Sequence, residues 1–89
     1  MDVYQEQNNQ QQRERMEAER QQKINEFKNE LAQAKAKLQM AYNELEKINK
    51  FKLGRTKSEK ESQLSNQYKK IDKIKERIET INNQISILE

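Results

Sequence analysis

The residues best equipped for chemistry in this chain are cations. Lys47, Lys50, Lys52, Arg55, Lys57 and Lys60 crowd into positions 47–60 against the single acid Glu59. That stretch carries +5, while the whole 89-residue chain carries +3. Phe51 and Leu53 stand inside it. A cationic patch with an aromatic side chain beside it attracts phosphates, acidic protein surfaces or anionic headgroups. Lysines also complete helix ends, and an apolar pair closes the end of a core stripe. Lys50, Phe51, Lys52, Leu53, Arg55 and Lys57 are therefore the candidate tip contact, facing an anionic partner at residues 47–60.

A second basic run, Lys69, Lys70, Lys73, Lys75 and Arg77, is interrupted by Asp72 and Glu76. Residues 61–89 sum to zero, and the run spreads over several helix faces. Nucleic-acid binding wants its charge on one face with a basic surplus, so nucleic acid is the disfavoured partner here. Tyr42 and Tyr68 fall on one flank and are read as widening a helix interface rather than stacking on bases.

Catalysis has little to stand on. The chain lacks Cys and His, which removes thiolate chemistry, disulfides, the common zinc sites and imidazole acid–base catalysis. Glu14/Glu17 and Glu26/Glu30 each share a helix face, but no pocket or nucleophile accompanies them. The expectation is a protein that is not an enzyme and needs no cofactor or metal.

The elements that would position these groups follow from composition and period. Only 31% of residues are hydrophobic and 37% are charged, with Gln and Asn adding 21 positions. A compact globule needs a thicker core, which leaves disorder or an elongated helical form with a thin apolar stripe. No window approaches the roughly 20 apolar residues of a membrane span. The start, Met1-Asp2-Val3-Tyr4 and then glutamines, offers no apolar run for a signal peptide. The expected location is the cytoplasm or the inside of a particle.

The stripe is present. Ile24, Phe27, Leu31, Ala34, Leu38, Ala41, Leu45 and Ile48 recur in alternating steps of three and four, as do Leu64, Gln67, Ile71, Ile74, Ile78, Ile81, Ile85 and Leu88. Each series fills the a and d positions of four heptads. The sixteen residues from Ile48 to Leu64 break the heptad register, so the stripe cannot continue along one straight helix. Within the gap, lysines suit a helix C-terminus, Gly54 (the sole glycine) suits its left-handed closure, and Thr56/Glu59 or Ser58/Glu61 offers a capping box. With the bend at residue 56, positions whose numbers add to 112 face each other. Every layer then joins an a to a d, and both alanines meet isoleucines.

The fold expected is all-α: an antiparallel two-helix coiled-coil hairpin with an N-terminal polar helical extension, packing into a larger helical bundle or assembly. Residues 1–23 form a Gln-rich arm, 24–53 the first helix, 54–58 the turn and 59–89 the second helix. The arm is either a solvated helical extension or a docking segment using Val3, Tyr4 and Met16. Its i,i+4 pairs are Arg13–Glu17, Arg15–Glu19 and Glu19–Lys23. On the flanks, this reading sets Lys35 near Lys75 and Lys37 near Arg77, with Glu44–Lys70 the one favourable pair. Ile at both a and d leans toward more than two helices.

The function expected is a non-enzymatic structural or adaptor subunit acting through coiled-coil protein–protein interaction, in a homo- or hetero-oligomeric assembly. Its partner is itself or another helical protein. The alternatives are a nucleic-acid-binding hairpin using the basic tip, and a helical chaperone or secretion accessory protein. The core interface would comprise Ile24, Phe27, Leu31, Ala34, Leu38, Ala41, Leu45, Ile48, Leu64, Ile71, Ile74, Ile78, Ile81, Ile85 and Leu88.

Overall fold

The computed structural model describes the backbone of residues 3–50 and 56–89, and side chains in the first helix from residue 9 onward. Two helices account for nearly all of this: α1 (Val3–Lys50, 48 residues) and α2 (Lys57–Leu88, 32 residues). They pack against each other as a hairpin, and no strand occurs among the described residues. The molecule measures 81 × 15 × 12 Å, a rod one helix thick in one direction and two in the other. α1 alone spans about 72 Å at 1.5 Å per residue.

Contacts between the helices fix their direction. Lys60 reaches Asn49, Gln67 reaches Ala41, Arg77 reaches Glu30, and Lys28 reaches Glu89. As one member steps forward along α2, the other steps back along α1. Only an antiparallel pair behaves this way. No proline or mid-helix glycine interrupts either element, and the residue set is rich in straight-chain helix formers.

α2 starts at Lys57, two residues before the expected boundary at 59. The cause is which capping box forms. Thr56 sits at φ −76°, ψ 159°, its hydroxyl accepts from the Glu59 backbone N–H at 3.1 Å, and the Glu59 carboxylate accepts from the Thr56 N–H at 3.4 Å. Two orphan donors are thereby satisfied. Ser58, the other candidate cap, lies inside the helix. The expected helix end at 53 and the Gly54 closure fall outside the described residues.

The core is a single stripe. All sixteen heptad positions are buried or half-buried, and Lys60 is the only other described residue that is not exposed. Ala34, Ile81 and Ile85 form the buried centre, with Phe27, Leu31 and Ile78 packed on them. These six residues are three successive layers: Ala34/Ile78, Leu31/Ile81 and Phe27/Ile85. Ile81 is 1% exposed, the deepest side chain in the molecule.

N-terminal to Ile24, α1 continues without a partner from α2. The arm is part of that one uninterrupted helix, and its described side chains from residue 9 to 23 are all exposed. Among the described residues, the salt bridge in this segment joins Arg20 to Glu17 at 2.6 Å across three positions. The i,i+4 pairs expected there do not close.

Candidate interaction surface

The hairpin has two flanks of different character. In an antiparallel pair, a flanking residue lies one position from the core on one helix and four on the other. Facing flank residues therefore add to 117 on one side and 107 on the other, rather than to values nearer 112.

On the first flank, Lys28 pairs with Glu89 at 3.8 Å, and the Lys75 ammonium lies 5.7 Å from the Tyr42 ring centroid. Hydrogen bonding to Tyr42 is the larger of the influences that raise Lys75 above the ordinary lysine value. Attraction to Tyr42 and Asp72 adds to it, and desolvation opposes it. Tyr68 sits seven residues before Lys75 at the same heptad position, which puts both tyrosines on this flank. Aromatic and charged groups thus cover one side of the core.

On the second flank, Arg77 donates to Glu30 at 3.2 Å. This redraws the expected clusters of like charge, since Lys37 and Lys70 add to 107 and line one hollow together. Lys75 is drawn to Tyr42 instead of facing Lys35, and Arg77 to Glu30 instead of facing Lys37. Lys70 and Glu44 line one hollow, yet no salt bridge joins them. Lys37, Lys70 and Lys73 make no ion pair among the described residues.

This second flank is also concave. A cavity of about 420 Å³ opens between the helices over Ala34, Ile74 and Ile81. A smaller one of about 190 Å³ follows over Ala41 and Ile74, and a third beyond Met40 reaches Lys47. The first two share Lys37 and Ile74 and form one groove between the helices from Glu30 to Glu44, about 21 Å long, while the third is lined by α1 alone. The cause is sequence-local: alanines at two successive d positions of α1 stop short of the surface that a Leu would fill. In the heptad pattern Ala34 and Ala41 stand out only as the small residues that meet isoleucines. Their coincidence with the lysines at 37 and 70 was the available signal for a groove.

Inside the core, Gln67 is 7% exposed. Its amide donates to the Ala41 backbone carbonyl at 2.8 Å, and no buried side-chain N or O among the described residues lacks a partner. The short Ala41 side chain is what lets the amide reach the backbone.

At the tip, Lys47, Lys50 and Lys57 are exposed. Lys60 is half-buried and donates to the Asn49 carbonyl at 3.3 Å, a cation set on the negative end of α1. Phe51, Lys52, Leu53 and Arg55, the rest of the candidate tip contact, lie outside the described residues.

Among the described residues, no group of three or more carboxylates could hold a metal ion, and no helix is long and apolar enough to cross a membrane. No family model, no curated protein and no solved structure matches this chain.

Proposed function

We propose that this chain is a non-enzymatic structural or adaptor subunit that works through coiled-coil contact with another helical protein or with further copies of itself. The observation that carries the reading is how incompletely two helices cover the stripe. Phe27, Leu31, Leu38, Leu45, Ile48, Leu64, Ile74, Ile78 and Leu88 are only half-buried in the hairpin. Covering such side chains fully is worth about 1.5–3 kcal/mol each relative to exposure, so further helices have much to gain by packing here. Ile at most a and d positions of α2 favours the same outcome. The exposed lysines at 47, 50 and 57 supply a secondary contact for an anionic surface of the partner.

Light scattering with circular dichroism, over a range of protein and salt concentrations, tests this. A helical species of two or more chains that survives high salt supports a self-assembling subunit. A weakly helical monomer that becomes helical with a captured partner supports the adaptor form. A fully helical, stable monomer that binds nothing overturns both.

A further inference from the structure

We propose that the groove over Ala34 and Ala41 receives an acidic amphipathic helix of another protein, as a third strand alongside the hairpin. This rests on the reading of the chain as an interaction subunit and names the surface and the chemistry of its partner.

Shape and floor come first. The groove is about as long as 14 residues of helix, and its floor is aliphatic: Ala34, Ala41, Ile74 and Ile81. Met40 stands on its rim, 69% exposed. A helix seated here places its own apolar stripe over the two alanines, as helix-in-groove recognition requires.

Charge decides the occupant. Glu30 already engages Arg77, which leaves Lys37, Lys70 and Lys73 along the walls against Glu44 alone, with Lys47 just beyond them on α1. Three of these lysines, at 37, 70 and 73, have no ion-pair partner among the described residues. The opposite flank carries Tyr42 against Lys75 and the Lys28–Glu89 pair. A helix with carboxylates on either side of its apolar stripe satisfies the open flank's lysines and covers its floor together.

Other occupants match less well. A second copy offering the same face brings surplus cations against surplus cations. The exposed arm of a second copy, over residues 9–23, carries four cations against three carboxylates, with Met16 and Ala18 as its apolar residues. Phosphates of a nucleic acid gain nothing from an aliphatic floor.

The test uses the full chain and labelled synthetic helical peptides of about 18 residues, with Leu at a and d and either Glu or Lys at the flanking positions. Fluorescence anisotropy reads binding. The Glu peptide is expected to bind and the Lys peptide not. Lys37→Glu/Lys70→Glu, both exposed, should weaken the Glu peptide about ten-fold or more and admit the Lys peptide. Lys35→Glu/Lys69→Glu, away from the groove, should leave affinity unchanged, and circular dichroism checks that each variant folds. Equal binding of both peptides overturns the proposal. So does competition by a DNA duplex of about 20 base pairs that Lys37→Glu/Lys70→Glu abolishes. If the chain self-associates and Met40→Glu dissolves the oligomer, the groove is a contact between copies; the proposal then fails while the subunit reading stands. Failure of both peptides, with the chain a stable monomer that binds nothing, overturns the two readings together.

Discussion

The side-chain amide of Gln67 donates a 2.8 Å hydrogen bond across the hairpin core to the backbone carbonyl of Ala41. That carbonyl keeps a second lone pair for its own helix, so the contact adds a bond without breaking one. It also opposes a slip of one heptad in one direction, which puts Ile48 where Ala41 stands; the opposite slip puts Ala34 there.

Gln67→Leu is therefore expected to raise stability by about 1 kcal/mol while loosening the alignment of the helices. The first effect is read by urea denaturation. The second is read by spin labels at Glu26→Cys and Ser86→Cys, two exposed positions in a chain without cysteine. The parent should give one narrow distance on the order of 20 Å, an interaxial spacing of about 10 Å plus the label arms. The Leu variant should give a broader or double distribution. A single straight helix would separate the labels by about 90 Å.

Thr56→Ala removes half of the capping box and should cost about 1 kcal/mol. Ser58→Ala, one turn position away and exposed, should change stability by no more than about 0.5 kcal/mol. Equal losses from the two would mean that α2 starts elsewhere.

Burial separates two isoleucines only six residues apart. Ile81 is 1% exposed and Ile87 is 82% exposed. Ile81→Ala should cost about 2–5 kcal/mol, enough to melt an isolated hairpin, while Ile87→Ala should stay within about 0.5 kcal/mol. If Ile87→Ala were as damaging, another surface must bury Ile87 in solution.

Tyr42 raises the Lys75 pKa above its ordinary value of 10.5. A lysine whose folded value is raised binds its proton more tightly in the folded state. Its contribution is complete below the unfolded value and is lost as pH climbs through the folded one. Tyr42→Phe should therefore lower the melting temperature by a constant amount below about pH 10, with the difference shrinking above it. Melts from about pH 8 to about pH 11.5 check this. A gap that is unchanged throughout assigns the effect to packing of the ring.

The layers of this fold were legible because hydrophobic period is a strong signal: positions adding to 112 face each other, and Leu31/Ile81 and Phe27/Ile85 lie together in the core. The flanks were harder. Pairing Lys35 with Lys75 treated the two helices as mirror images, whereas helical geometry sends Lys75 to Tyr42 and Arg77 to Glu30. The groove was harder still, since two alanines look like spacing residues until the walls beside them are known. Thr56 and Ser58 were equal candidates in sequence, and only the backbone angles at Thr56 decide between them.

The uninterrupted course of α1 carries a kinetic consequence. From residue 24 onward its amides open only when the packed stripe opens, so their exchange with deuterium reports the stability of the hairpin. From residue 9 to 22 the same helix has no partner, and unpartnered helices in water close and reopen in about a microsecond. Deuterium uptake should therefore change steeply near Ile24 within one continuous helix. A partner that binds the arm would announce itself by moving that step toward the N-terminus.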